Sequence, residues 1–186
     1  MDEETVFLTM DEKAEKAVEH TANEFAAVNT GKANPGMVEG IQVEAYGSQM
    51  ALKEMAAITT PDARTIAVQP WDKSTLKAIE KAILASNIGI TPAIMGDVIR
   101  LPLPELTGDR RQELVKLVSK QAEDGRVAVR NARRDAMDAL KKLQKAGEIT
   151  EDELKTDEKE IQETTDNSIK KINDLLAAKE KELTTV

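Results

Sequence analysis

The 186-residue chain contains no cysteine, one histidine (His20), one tryptophan (Trp71), one tyrosine and two phenylalanines. Without thiols there is no disulfide, no thiolate metal site and no cysteine nucleophile. A single imidazole excludes His-rich metal sites and any mechanism that needs two. Aromatic residues are 2% of the chain, so the core is expected to be aliphatic and alanine-rich, which favours long packed helices. No apolar run approaches the ~20 residues needed to span a bilayer. The N-terminus, Met1-Asp2-Glu3-Glu4, lacks the basic start of a secretory signal and the arginines of a transit peptide. The expected compartment is the cytoplasm. Charged residues make up 32% and hydrophobic residues 40%, as in a folded soluble chain.

The net charge of −8 hides a segregation. Residues 1–30 carry −6, residues 31–107 carry −1, residues 108–147 carry +5 and residues 148–186 carry −6. One basic segment inside an acidic protein is a hint about partners.

Three stretches have a helical period. In the first, from about Met10 to Val28, Thr9 and Glu12 form a capping-box pattern. Met10, Ala14, Ala17, Thr21, Phe25 and Val28 then follow at spacings of three and four, with Val18 beside them. The second runs from about Gly108 to Ala146, with Leu114, Val118, Ala122, Val129, Ala132, Ala136, Leu140 and Leu143 on one side. Only Gly125 interrupts it, at ~1 kcal/mol against alanine. The third opens at Thr150, with Glu153 completing a second capping box, and carries Leu154, Ile161, Thr165, Ile169, Ile172, Leu176 and Leu183. The short link between the last two makes them antiparallel neighbours. The first helix has the remaining matching stripe, so a three-helix bundle is the economical solution.

Between Gly31 and Thr107 the period changes. Ile41–Ala45 alternates as a half-buried strand, Arg64–Val68 reads as another, and Met95-Gly96-Asp97-Val98 reads as a tight hairpin turn. Leu76, Ile79 and Ile83 make a short amphipathic helix within residues 74–85. The fold class is therefore α+β with two domains. Residues 1–30 and 105–186 form the bundle, and residues 31–104 form an α+β domain inserted after the first helix. Residues 29–36, with Thr30 and Gly31, and residues 101–105, with Pro102 and Pro104, are the expected hinge segments.

The strongest chemical signal is Arg126-Val-Ala-Val-Arg130-Asn-Ala-Arg133-Arg134. At 100° per residue, Arg126, Arg130 and Arg133 lie within about 60° of one another, beside the apolar stripe. Guanidinium groups fork onto phosphate oxygens, which lysine cannot do. The competing explanation is a solvated basic face paired with the acidic first and third helices, and spacing alone does not separate the two. Thr30-Gly31-Lys32 fails as a phosphate loop, because Ala26 stands where the first glycine is needed and no Ser or Thr follows Lys32. Lys32 remains a point charge for a phosphate. His20 reads as an exposed or flanking side chain, Trp71 as a packing residue and the acids of the third helix as a solvated face. Nothing assembles a catalytic centre or a metal site. From the residues alone, a nucleic-acid binder and a helical protein-binding adaptor or chaperone-like module both stand.

The stretches Val43-Glu-Ala-Tyr-Gly47, Pro61-Asp-Ala-Arg64-Thr-Ile, Gln69-Pro-Trp-Asp72-Lys-Ser, Ala82-Ile-Leu-Ala-Ser86-Asn-Ile-Gly89, Pro104-Glu-Leu-Thr107, Arg110-Arg111, Arg126–Asp135 and Thr165-Asp166 carry a resemblance. In their order and spacing the sequence resembles the bacterial ribosome recycling factors over essentially its full length. The resemblance implies an L-shaped molecule, with a three-helix bundle and a smaller β/α/β domain on a two-strand hinge. It implies binding to the large ribosomal subunit after peptide release. With elongation factor G and GTP, the ribosome would then be dissociated from mRNA and tRNA. It implies no enzyme activity, no cofactor, no membrane and a monomer, GTP belonging to the partner. Arg133 matches the family's most critical arginine for ribosomal RNA, Arg130 is next, and Arg126, Arg134, Arg111 and Lys32 extend the expected RNA contacts. The family commonly has Arg-Thr-Gly-Arg at the first hinge, where this chain has Asn29-Thr30-Gly31-Lys32.

Overall fold

The first helix starts earlier than the Thr9 motif suggests, because a stronger cap precedes it. Asp2 Oδ1 accepts the backbone N–H of Thr5 at 2.8 Å, satisfying a free donor of the first turn. In the computed structural model, which describes residues 1–86 and 88–185, α1 therefore spans Glu3–Ala26 and Thr9 lies inside it. Asn87, within one of the quoted stretches, and Val186 lie outside the described residues. The helix stops at Ala26, short of Val28, but Val6, Met10, Ala14, Ala17, Thr21 and Phe25 are buried in one row.

The chain falls into two compact units, Met1–Phe25 with Glu113–Val186, and Ala26–Gln112. The first unit is built by α1, α3 (Gly108–Lys145) and α4 (Glu151–Thr184). Thr150 caps α4, its hydroxyl accepting the Glu153 N–H at 3.1 Å. The contacts Ser119–Glu180, Arg126–Asn173 and Arg133–Gln162 run antiparallel along α3 and α4. Val6, Met10, Ala14, Ala132, Ala136, Leu140, Leu143, Ile149 and Ile161 form one continuous core drawn from all three helices.

Gly125 is not a tolerated defect. A Cβ there would collide with the Thr21 hydroxyl of α1 and stand 3.2 Å from Ile172 Cδ1 of α4. The absent side chain lets three helices approach at one level, where Thr21 Oγ1 donates to Ala17 O at 2.8 Å.

The α4 stripe departs from expectation. Leu154, Ile169 and Leu176 are only half-buried, while Asp157, Ser168 and Lys179 are buried. The helix sits rotated toward its small and polar residues. Burial pulls the Lys179 ammonium down, opposed by Glu182 at 3.6 Å.

The second unit has two antiparallel sheets. β1 (Gln42–Ala45) pairs with β2 (Ser48–Ala51) across a Tyr46-Gly47 turn, both residues at positive φ (53° and 77°), the geometry of a two-residue hairpin. β3 (Ala56–Asp62), β4 (Thr65–Pro70), β5 (Ala93–Met95) and β6 (Val98–Pro102) form the other sheet in the order β3-β4-β6-β5. Sequence reading misses β2 and β3. The first is polar and short, and the second carries Pro61 on an edge with a register shift between Thr59 and Asp62. Helix α2 (Leu76–Ala85) buries Ile79 and Ile83 in the same core as Ile66, Val68, Ile99 and Leu101. Leu103 joins that core, and its N–H bonds Arg64 O at 2.8 Å. Trp71 is 69% exposed, so it is not a packing residue. It follows the end of β4, just before Asp72, whose carboxylate accepts the Tyr46 hydroxyl and the Ser74 N–H.

Asp157 gives the bundle a titratable seam. Burial, a hydrogen bond with Glu3 and the charges of Glu3, Glu160 and Glu153 push its carboxyl from 3.8 up to about 7. The folded state holds this proton to higher pH than the unfolded chain. The resulting stability is therefore full below pH ~4 and lost as pH rises through about 7. Thermal unfolding should show the bundle roughly 1–2 kcal/mol more stable at pH 5.5 than at pH 8. Asp157→Asn should flatten that difference.

Candidate nucleic-acid interface

The α3 helix sets the stripe. Its buried row, from Leu114 through Val118, Ala122, Gly125, Val129, Ala132, Ala136, Leu140 and Leu143, turns one face to α1 and α4. Arg126 and Arg133 fall beside that row and are half-buried, whereas Arg130 and Arg134 are exposed. All four belong to the first unit.

Their partners differ in charge. Arg126 Nε lies 3.0 Å from Glu123 Oε2, and Arg130 Nη1 lies 2.9 Å from Glu123 Oε1, so two guanidinium groups share one carboxylate of their own helix. Those two bonds, Arg130 first, hold the Glu123 carboxyl below the usual range. Arg126 also donates from Nη1 to Asn173 Oδ1 of α4 at 2.8 Å. Arg133 donates from Nη1 to the amide oxygen of Gln162 at 3.1 Å, and its Nε is buried without a hydrogen bond among the described residues. Among the described residues, the acids of α1 and α4 supply no ion pair of the stripe: α4 meets it with two neutral amides. The cross-helix ion pair of α1 with α3, Lys13 to Asp135 at 3.5 Å, lies on the opposite side of α3 from Arg126, Arg130 and Arg133.

Lys32 and Arg111 lie in the second unit. The turn at Thr30-Gly31 is fixed locally: Asn29 Oδ1 accepts the Gly31 N–H at 2.8 Å, and Gly31 has φ +85°, where other residues are strained. Thr30 is buried, Lys32 is exposed, and Arg111 Nη2 comes within 4.0 Å of where a Gly31 Cβ would stand. The arginine at the start of α3 and the glycine turn are thus neighbours. Pro102 and Pro104 are exposed, but Pro102 belongs to β6, paired with Thr65, and Leu101 and Leu103 beside them are core residues.

Sequence reading does not single out Glu123, Asn173 or Gln162. A signal for Glu123 was present, since it stands three and seven residues before Arg126 and Arg130. Asn173 and Gln162 had none, because nothing local shows which face of α4 turns to α3. His20 is exposed, 3.1 Å from Glu24 on its own helix. Among the described residues, no group of three or more His, Asp or Glu side chains is arranged to hold a metal ion. Among the same residues, no helix is long and apolar enough to cross a membrane.

The family model of ribosome recycling factor matches residues 21–184. The chain belongs to the ribosome recycling factor family. It is 52% identical over 177 residues to a ribosome-recycling factor of Synechococcus sp. (strain JA-2-3B'a(2-13)), covering 95% of this chain and 97% of that one. It is 51% identical over 175 residues to one of Geobacillus kaustophilus, covering 94% and 95%. A solution structure of the ribosome recycling factor superposes with a TM-score of 0.80 at 40% identity, covering 100% of this chain and 99% of that one. A second structure matches at TM-score 0.70 and 41% identity over the whole of both chains. It belongs to models of the Thermus thermophilus factor and Escherichia coli elongation factor G bound to the E. coli post-termination complex.

Within this family member, Glu123 competes for two arginines with any anion that approaches α3. Glu123→Gln should release them. On a heparin column the variant should elute at higher salt than wild type, and later than Glu163→Gln, which makes the same change of charge at an exposed site on α4.

Proposed function

We propose that the chain is a ribosome recycling factor whose bundle binds ribosomal RNA of the large subunit through the arginine stripe, with Arg133 as its principal contact. The supporting observation is the contrast in partners. Arg126 and Arg130 are paired with the Glu123 carboxylate, while Arg133 donates to a neutral amide and has no ion pair among the described residues. RNA helices are met mainly through phosphates and shape, so a fixed guanidinium with an uncancelled charge suits them. Arg130, Arg126 and Arg134 widen the contact, and Arg111 with Lys32 supplies a second basic point in the other unit.

Bound to a post-termination ribosome, the factor works with elongation factor G and GTP to separate the subunits and release mRNA and tRNA. It is not itself an enzyme; the nucleotide chemistry belongs to the partner. It is a cytoplasmic monomer without a cofactor. The chain crosses between its two units twice, after Phe25 and after Gln112; residues 29–36 follow the first crossing and residues 101–105 precede the helix that carries the second. Motion of the second unit about them transmits the partner's force to the anchored bundle. We place the second hinge at residues 104–107, because Leu101 and Leu103 are held in the core of the second unit.

Arg133→Ala tests the reading. A charge-assisted hydrogen bond contributes ~1.5–3 kcal/mol, so affinity for the large subunit should fall roughly 10- to 150-fold. The melting temperature should stay near that of wild type. Light scattering with elongation factor G and GTP should show splitting of post-termination ribosomes by wild type and little by the variant. Early melting with unchanged affinity would make Arg133 a structural residue and favour the adaptor reading.

A further inference from the structure

We infer that Gln162 and Asp166 of α4 are positioning residues for Arg133, a role that rests on the phosphate reading of Arg133 above. The three side chains form a directed relay. Arg133 Nη1 donates to Gln162 Oε1 at 3.1 Å, and Gln162 Nε2 donates to Asp166 Oδ1 at 2.8 Å, one turn further along α4. A primary amide has a donor end and an acceptor end of the same shape. An ionised carboxylate only accepts. Asp166 therefore takes the NH₂ end of Gln162 and turns the carbonyl oxygen toward the arginine. A guanidinium, which only donates, meets that oxygen and no competing N–H.

The relay fixes Arg133 against its own preference. Its Nε is buried and makes no hydrogen bond among the described residues, an arrangement with a desolvation cost. The side chain lies where the groove between α3 and α4 holds it, rather than where all its donors find partners. Side-chain freedom is given up before any ligand arrives, which strengthens binding by lowering the ordering cost at that moment.

The neutrality of Gln162 is the second half of the role. A glutamate at the same place would hold the guanidinium more strongly and cancel its charge, as Glu123 does for Arg126 and Arg130. The amide orients without neutralising. Thr165-Asp166, one of the stretches that carry the family resemblance, thereby gains a function: Thr165 turns its hydroxyl inward to Ile161 O at 2.9 Å, and Asp166 faces outward to orient the amide.

The test is affinity of the full-length protein for large ribosomal subunits from a matched species, with melting temperatures alongside. Gln162→Glu should melt no earlier than wild type yet bind about tenfold more weakly. Gln162→Leu should bind roughly 3- to 10-fold more weakly, and should cause no further weakening in an Arg133→Ala background. Asp166→Ala should resemble Gln162→Leu, and Asp166→Asn, which keeps an acceptor, should be affected less. Two results would overturn the role: wild-type affinity in both Gln162 variants while Arg133→Ala is weakened, or fully additive effects of Gln162→Leu and Arg133→Ala. Wild-type affinity in Arg133→Ala alone would instead remove the phosphate reading, and the positioning role with it.

Discussion

The structure of the first unit depends on how closely α3 approaches both of its neighbours at Gly125. With no Cβ at that level, Thr21 from one side and Ile172 from the other come up to the α3 backbone. A glycine in a helix interior costs ~1 kcal/mol in propensity, and here the cost is offset by close packing of three helices. Asn173, next to Ile172, then lies within 2.8 Å of Arg126, and about two turns further along α3 Gln162 meets Arg133. The small-residue seam, Ala122, Gly125, Ala132 and Ala136, thus carries the consequence to the surface: it places neutral amides of α4 among the arginines of α3.

Charge segregation along the chain acquires a meaning at the level of single contacts. An acidic protein could have buried its one basic helix in salt bridges to the acidic helices around it. Instead the described ion pairs of the stripe are confined to Glu123, on α3 itself. The exposed Arg130–Glu123 pair contributes under ~1 kcal/mol and yields readily to a competing phosphate. The basic segment stays available, while α1 and α4 present acid elsewhere and limit indiscriminate contact with polyanions.

Much of the fold was legible because its helices are long and strongly periodic. The burial of Met10, Ala14, Ala17, Thr21 and Phe25, and of the whole α3 row, agrees directly with their spacing. The errors have local physical causes. Asp2 outcompetes Thr9 as a cap. Asp157 and Lys179 are buried where Leu154 and Leu176 were expected, because the face of α4 that meets its neighbours is set by the packing of the bundle and not by apolar spacing alone. β2 and β3 lack alternation, one being polar and the other an edge strand with proline. At the candidate site, the arginines were visible as a pattern on one helix. The side chains that distinguish them, Gln162 and Asn173, lie far away in sequence and become visible only when two helices are brought together.

The most direct measurement of the central claim is the salt dependence of large-subunit binding for wild type and Arg133→Ala. Plotted as log affinity against log salt concentration, wild type should fall steeply. The Arg133→Ala line should be shallower by about 0.7–0.9, the change expected when one phosphate is no longer neutralised. Parallel lines, with affinity lowered equally at every salt concentration or not at all, would contradict the claim that the Arg133 charge is held free to meet phosphate.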